Sequence, residues 1–209
     1  MRIVVLGNGI SGITAARHIR KKSNHEIVVI SSECKYFFSR TALMYIYMGH
    51  MTLENTQPYE PSFWEENRIR LVQDHVRSIH LGEQSISFSS DRGAMRYDKL
   101  ILAVGSSPNK FNWPGQDLNG VSGLYSLQDL ATMEHYSKEL ERAVVVGGGL
   151  IGIEMAEMFH SRNIPVSFLV REKSYWEKVL PPEESQMVNR EILDHDIDLK
   201  LDTELVKII

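Results

Sequence analysis

The sequence has a single cysteine, Cys34, among its 209 residues. One cysteine excludes an intrachain disulfide, a C-x-x-C redox pair and a cysteine-built zinc site. The eight histidines are scattered and show no metal-ligand spacing, so we expect no metal site.

Long apolar runs and an excess of positive charge are also missing. The first apolar run ends at Gly7, too early for a signal peptide, and no later run approaches the length of a membrane span. The formal net charge of −4 gives no electrostatic basis for binding nucleic acid. The one basic cluster, residues 17–22, falls at the end of a predicted helix, where cations complement the helix dipole. We therefore expect a cytoplasmic protein without membrane or nucleic-acid partners.

What the sequence does contain is an internal duplication. A short apolar run, a glycine turn, a helical pattern and a second apolar run follow one another twice. The first copy has its strands at 3–6 and 26–30, its turn at 7–12 and its helix at 13–22. The second has its strands at 144–146 and 166–170, its turn at 147–152 and its helix at 153–161.

The rest of the chain fits between and around these two β-α-β units. Helical spacing marks residues 43–48, and short strands are predicted at 69–72 and 99–104. Alternating residues at 76–81 and 85–88 predict a small antiparallel meander. A linker at 109–123 precedes a helix at 126–141, with Ser126 as N-cap and Asp129 completing a capping box. We predict an α/β fold of two Rossmann-like, three-layer dinucleotide-binding units, with domains at 1–112 and 143–209 joined by 113–142.

Each glycine turn has the residues that dinucleotide binding needs. The first glycine makes the tight turn, the second lets the backbone approach a pyrophosphate, and the third lets the helix pack close to the strand. The candidates are Gly7, Gly9 and Gly12 with the acid Glu33 in the first unit, and Gly147, Gly149 and Gly152 with Glu154 in the second. One such turn could be a glycine-rich connection without a ligand. Two copies, each between strand and helix, favour two nucleotides, and hydride transfer would pair a flavin with a nicotinamide dinucleotide.

Further motifs carry a family resemblance. Besides the glycine turns these are Ser39-Arg40, the block YDKLILAVGSSP at 97–108, YSLQDL at 125–130 and GGGLIGIE at 147–154. In this order they resemble the FAD-dependent pyridine nucleotide-disulfide oxidoreductase superfamily. The chain is most similar to the branch with rubredoxin and ferredoxin reductases, NADH oxidases and the FAD/NAD(P)H portion of assimilatory nitrite reductases.

The resemblance implies a role for each candidate. The FAD pyrophosphate would lie on the first turn, Glu33 would hold the adenosine ribose, and Arg40 would lie near the phosphates or the flavin. The remaining implied FAD contacts are Ile10 and Ser11 in the turn, Val76 through its backbone, and Ala103 and Gly105. The implied nicotinamide nucleotide contacts are Gly147, Gly149, Leu150, Ile151, Gly152 and Glu154.

Three departures from the family pattern limit what the resemblance implies. Cys34 lies six residues before Arg40 instead of at the redox-cysteine place, so electrons should leave for an external acceptor: a redox protein, a nitrite reductase centre or oxygen. Tyr45 stands where electron-transfer reductases have a lysine. The family also continues beyond residue 209, so we expect an incomplete second unit. The chain would then be either a fragment that lacks its C-terminal portion or a naturally short relative. Apolar surface left exposed along the missing strands would lead to pairing with a partner chain, as in a homo-oligomer, or to disorder near the C-terminus.

The choice between NADH and NADPH depends on Arg171 and Glu172. An acid at the end of the second strand favours NADH, and an arginine there favours NADPH. Sliding the two units over each other places Glu172 against Glu33, whereas the usual family pattern places Val170 at the acidic position. The resemblance gives a slight preference for NADH.

The sequence therefore predicts a FAD-dependent NAD(P)H oxidoreductase that passes hydride from the nicotinamide to the flavin. No acid or base is needed for that step, so no catalytic side chain is assigned. Arg40 is the best candidate for stabilising negative charge on the reduced flavin. Two alternatives remain: a nucleotide-binding module without turnover, and an enzyme like the flavin monooxygenases.

Overall fold

A computed structural model describes all 209 residues as ten strands and six α-helices. The strands are β1 (Arg2–Leu6), β2 (Glu26–Ser31), β3 (Ile69–Gln73), β4 (Val76–His80), β5 (Ser85–Phe88), β6 (Met95–Arg96), β7 (Lys99–Leu102), β8 (Ala143–Val146), β9 (Val166–Leu169) and β10 (Asp198–Lys200). The helices are α1 (Ile10–Lys22), α2 (Leu43–Tyr47), α3 (Pro61–Glu66), α4 (Leu127–Tyr136), α5 (Leu150–His160) and α6 (Pro182–Asp194). None of the helices has the length and apolarity required to cross a membrane.

The chain divides into two compact units, each made of separate stretches of sequence. The first comprises Met1–Leu43, Met51–Ser107 and Tyr125–Gln128. The second comprises Met44–His50, Pro108–Leu124 and Asp129–Ile209. The domain boundaries inferred from the sequence, after residues 112 and 142, stay a prediction.

The first unit is built on a parallel sheet in the order β3-β2-β1-β7. Its continuous apolar runs are buried on both faces, as expected of a sheet covered on both sides. Val4 and Val28 pack towards the antiparallel meander β4-β5-β6, whereas Val5 and Val29 pack towards α1 and α3. The predicted α/β fold with a parallel sheet and flanking helices is confirmed, and this unit has three layers.

The second unit repeats the arrangement with the parallel sheet β10-β9-β8. Val145 and Phe168 pack with Ala156 of α5 and Ile192 of α6, and all four side chains are buried. On the other face of β8, Val144 is 59% exposed.

A helix from early in the chain belongs to this second unit. Tyr47, at the end of α2, is fully buried, and its hydroxyl lies 2.6 Å from Ser137 Oγ. Arg162 covers the Tyr47 ring, with its guanidinium carbon 3.7 Å from the ring centre, and its Nε donates to the Tyr47 carbonyl at 2.8 Å. The guanidinium also binds both carboxylate oxygens of Glu134, at 2.5 and 2.7 Å. Residues 44–50 are thereby fastened to α4 and to the turn after α5.

The observed helices and strands differ from the prediction mainly at their ends. The helix predicted over residues 126–141 is wrong beyond Tyr136, where a turn begins. There the Ser137 hydroxyl donates to the Met133 carbonyl at 2.6 Å, a local bond that competes with continued helix. The strand predicted at 99–104 ends at Leu102, and the first helix begins three residues earlier than predicted, at Ile10. Helices α3 and α6 and strands β6 and β10 were not predicted.

Candidate functional site

A cavity of about 1500 Å³ lies in the first unit, where β1, β2 and β7 end. It exceeds the ~300–1,000 Å³ of ordinary small-molecule pockets and suits a ligand as large as a dinucleotide. Nine of the ten site residues predicted in this unit line it: Gly7, Gly9, Ile10, Ser11, Glu33, Arg40, Val76, Ala103 and Gly105. The tenth, Gly12, is buried in α1 and does not line the cavity.

The three glycines of the first turn differ in what the folded chain requires of them. Gly7 has φ +105°, and a Cβ there would come within 2.7 Å of the Ala103 carbonyl carbon. A Cβ on Gly12 would fall far inside contact distance of the Gly7 carbonyl oxygen and 3.2 Å from Val5 Cγ1. Gly9, by contrast, has an ordinary φ of −70°, and a Cβ there would meet no atom within 4 Å. The fold explains the first and third glycines, but it does not explain the second.

Asn8, inside the turn, was missed by the sequence analysis. Its side chain is nearly fully buried and donates to the Cys34 carbonyl at 2.9 Å, which fixes the loop after β2 against the turn. A polar residue between two glycines of such a turn was the available signal. In the same loop, burial raises the pKa of the Cys34 thiol, and Sγ donates to the Tyr36 carbonyl at 3.1 Å. A buried thiol with a raised pKa is a poor nucleophile.

Glu33 and Arg40, predicted to contact different parts of FAD, are brought together by the structure. The Arg40 guanidinium binds both Glu33 carboxylate oxygens, at 3.0 and 2.5 Å. Burial alone would lower the pKa of Arg40, but its bonds to Glu33 raise it overall, so the guanidinium stays charged. The Leu127 amide also donates to Glu33 Oε1, at 2.9 Å. Since the two charges neutralise each other, Arg40 is less suited to stabilising an anionic flavin than the sequence suggested.

The Glu33–Arg40 ion pair also binds residues 125–128, which are distant in sequence, at the cavity. Arg40 donates to the Tyr125 carbonyl and lies 4.4 Å from the centre of the Tyr125 ring, and the Tyr125 hydroxyl accepts the Ser106 amide at 3.0 Å. Gln128 donates to the Glu33 carbonyl at 3.0 Å. Residues 125, 126 and 128 line the cavity and were not predicted as site residues. Their YSLQDL motif contributed to the family resemblance, but nothing local in it indicates a binding role.

We expect Arg40→Ala to lower the free energy of unfolding by about 2 kcal/mol, because it leaves the Glu33 carboxylate without its main partner and releases residues 125–128. Arg40 and Glu33 side chains are only 30% and 16% exposed. Urea denaturation followed by circular dichroism measures the effect. The matched control is Glu26→Ala, which breaks the Arg2–Glu26 pair (38% and 45% exposed) and should cost less than about 1 kcal/mol. Equal costs would show that the Arg40 pair is an ordinary surface contact.

The second glycine turn has nearly the same backbone geometry. Gly147 has φ +116°, and a Cβ on Gly152 would fall far inside contact distance of the Gly147 carbonyl oxygen. Gly149 precedes α5 and has a φ of −88°. A Cβ on Gly149 would meet no atom within 4 Å, as is also true of Gly9. Leu150 and Ile151, which follow it, are 56% and 67% exposed.

Equivalent backbone hydrogen bonds show which residues of the two β-α-β units correspond to each other. The Gly7 amide donates to the Ile30 carbonyl at 2.7 Å, and the Gly147 amide donates to the Leu169 carbonyl at 3.0 Å. Ile30 therefore corresponds to Leu169, and three residues further on Glu33 corresponds to Glu172. This is the register obtained by sliding the two units over each other.

Charged residues gather where β9 ends. Arg171 Nη2 and Lys178 Nζ both approach Glu172 Oε1, at 3.4 and 3.2 Å. The hydrogen bond from Lys178 lowers the pKa of Glu172, which stays ionised. Glu154 is half-buried within α5, close enough to Tyr175 to raise the pKa of its hydroxyl after the larger effect of burial.

Comparison with known proteins gives a consistent result. A family model described as pyridine nucleotide-disulphide oxidoreductase matches residues 1–209. The assimilatory nitrate reductase electron transfer subunit of Bacillus subtilis is 27% identical over 99% of this chain and 27% of that protein. The rubredoxin-NAD(+) reductase of Ectopseudomonas oleovorans is 29% identical over 100% of this chain and 54% of that protein. Among solved structures, a NAD-dependent persulfide reductase from A. fulgidus matches with a TM-score of 0.88 at 25% identity, covering 100% of this chain and 41% of that one.

These matches extend over nearly the whole chain but over much less of the other proteins. The chain spans about half the length of the rubredoxin reductase and about a quarter of the Bacillus subtilis subunit. The similarity therefore concerns both glycine turns and the sheets that carry them.

Proposed function

The chain belongs to the pyridine nucleotide-disulphide oxidoreductase family over residues 1–209, and from this premise we propose that it binds FAD in its first unit and a reduced nicotinamide dinucleotide in its second. Hydride from the nicotinamide reduces the flavin, and the electrons then pass to an external acceptor. A cytoplasmic location belongs to the same proposal.

The observation that carries the proposal is the pair of glycines that the fold does not require. Gly9 and Gly149 have ordinary backbone angles and open space where a side chain would lie. A ligand whose pyrophosphate lies against the backbone gives both positions a reason to lack a side chain. The same position is left free in both units, which argues for two dinucleotides.

The amides that follow each of these glycines supply the binding chemistry. In α1 the first helical hydrogen bond runs from the Ile13 amide to the Gly9 carbonyl at 3.0 Å, and in α5 from the Ile153 amide to the Gly149 carbonyl at 3.3 Å. The preceding amides therefore lack a partner within their helix and can donate to phosphate oxygens, aided by the helix dipole. FAD, when bound, supplies the two-electron acceptor for the hydride. The chain's part in that step is to hold and orient the two nucleotides.

The route of the electrons away from the flavin does not use a disulfide of this chain. Cys34 is the single cysteine, and its thiol is half-buried with a raised pKa. The reported relatives include an electron transfer subunit and a rubredoxin reductase. By analogy with them, we propose a redox protein as the acceptor, with oxygen or a nitrite reductase centre as the other candidates.

The test is the visible absorption spectrum of the purified chain, reconstituted with FAD if necessary, before and after anaerobic addition of NADH or NADPH. Flavin bands that stay with the protein through gel filtration and bleach with either nucleotide are the expected result. Retained flavin that neither nucleotide bleaches would favour a binding module without turnover. A chain that retains no flavin would refute the proposal for the first unit.

A further inference from the structure

We propose that the second unit takes NADPH in preference to NADH, and that Arg171 recognises the 2′-phosphate. This inference rests on the proposed function, because it concerns the nucleotide that the second glycine turn holds. The preference is opposite to the slight one that the family resemblance gives.

The end of β9 lies directly against the glycine turn. A Cβ placed on Gly148 would come within 2.7 Å of Val170 Cγ1, and Val170 itself is fully buried. Its apolar side chain cannot accept a hydrogen bond from a ribose hydroxyl. Arg171 follows Val170 in the sequence. The first charged residue after β9 therefore comes directly after a residue that packs against the glycine turn.

The segment after Arg171 is held at the same turn. Tyr175 is buried, and its hydroxyl donates to the carbonyl of Gly149 at 3.3 Å. Its ring stacks on that of Trp176, with the ring centres 5.5 Å apart. The segment from Arg171 to Lys178 is therefore anchored through Tyr175 to the turn on which we place the pyrophosphate.

The exposed charge of this segment is positive on balance, because Arg171, Lys173 and Lys178 are exposed and Glu177 is the one exposed acid. Glu172 is the acid that corresponds to Glu33, but its side chain is only 21% exposed and its Oε1 already faces two cations. Those cations, Arg171 and Lys178, are 67% and 70% exposed. The acid that would repel a phosphate is thus neutralised, while two cationic groups remain open to solvent.

The exposed cations Arg171 and Lys178 suit the 2′-phosphate, the group that distinguishes NADPH from NADH. The 2′-phosphate of NADPH is an anion, and a guanidinium can bind two of its oxygens at once with charge-assisted hydrogen bonds. NADH presents a neutral hydroxyl at the same place. For that hydroxyl the usual partner is a free carboxylate, and the acid here is already paired.

Calorimetric titration of the 209-residue chain with NADPH, NADH, 2′,5′-ADP and 5′-ADP tests the inference without requiring turnover. We expect NADPH to bind at least tenfold more tightly than NADH, and 2′,5′-ADP to exceed 5′-ADP by a similar factor. Arg171→Ala should remove most of this preference by weakening the binding of NADPH and 2′,5′-ADP. Arg190→Ala, which removes an exposed arginine of α6 in the same unit, is the matched control and should leave the preference intact.

The outcomes separate this inference from the proposed function. NADH binding as tightly as NADPH, or an Arg171→Ala variant that keeps the preference, would overturn the assignment of Arg171 while leaving nucleotide binding in place. A chain that binds none of the four compounds would overturn the proposed function of the second unit and the inference with it.

Discussion

Gly9→Val is expected to lower the affinity for FAD at least about a hundredfold, equivalent to ~2.7 kcal/mol of binding free energy, while the chain stays folded. The backbone of Gly9 is in an extended conformation that any residue adopts, and its Cβ position is open. We therefore expect the free energy of unfolding to fall by no more than about 1 kcal/mol, the cost of a poorer N-cap. The valine side chain would occupy the space that a pyrophosphate needs to reach the backbone.

Fluorescence titration with FAD measures the first quantity and urea denaturation the second. Gly9→Ala should give an intermediate loss of affinity, since its side chain is one methyl group. The control is Gly82→Val, at an exposed position outside the cavity where a Cβ also meets nothing within 4 Å. If Gly9→Val binds FAD as tightly as the original chain, the pyrophosphate does not lie at this turn.

Gly12→Ala is expected to have the opposite pattern, a large loss of stability from a single methyl group. Intrinsic helix propensity would favour alanine by about 1 kcal/mol in α1. The new Cβ, however, would overlap the Gly7 carbonyl oxygen, and the Gly7 backbone is held by the hydrogen bond from its amide to Ile30 of β2 and by its close approach to Ala103. Overpacking typically costs about 1–3 kcal/mol, and a Cβ this far inside contact distance of backbone belongs at the upper end of that range, so the clash prevails and the free energy of unfolding falls.

The same measurement on Gly152→Ala tests the equivalent position of the second unit, where the Cβ would also come within 3.1 Å of Phe168 Cε2. Thr14→Ala, at an exposed position two residues after Gly12, is the control and should change stability by less than about 0.5 kcal/mol. A Gly12→Ala variant as stable as this control would mean that α1 can shift away from β1 at little cost.

The parts of the fold that the sequence predicted are those that depend on local constraints. Glycine at positive φ, as at Gly7 and Gly147, and buried apolar runs beside it are properties of neighbouring residues. The turns, the adjacent strands and the helices after them were therefore predicted closely. Helix α6 also had local signals, with Pro182 in its first turn followed by Glu183 and Glu184, but they were overlooked. Strand β10, three residues long, had no comparable signal.

The residues of the candidate site could be predicted only where they belong to a glycine turn or directly follow a buried apolar run. The lining residues that follow β1, β2 and β7 came from the turn motif and the family resemblance. The Glu33–Arg40 pair and its bonds to Tyr125 and Leu127 join residues up to 94 positions apart, and no periodicity in the sequence indicates which charges neutralise each other. Sequence reasoning therefore identified Glu33 and Arg40 but gave them separate roles.

Helix α2 has a consequence for anyone who wishes to dissect this protein. Because Met44–His50 pack in the second unit, a fragment that begins at Pro108 would lack a piece of its own interior. In such a fragment Ser137 would lose the Tyr47 hydroxyl, Arg162 would lose the ring and carbonyl of Tyr47, and Phe159 would lose its edge-on aromatic neighbour. The second unit therefore cannot be exchanged as one continuous segment. Recombination at the linker alone would leave this unit unstable, whereas a graft that also carries residues 44–50 would preserve it.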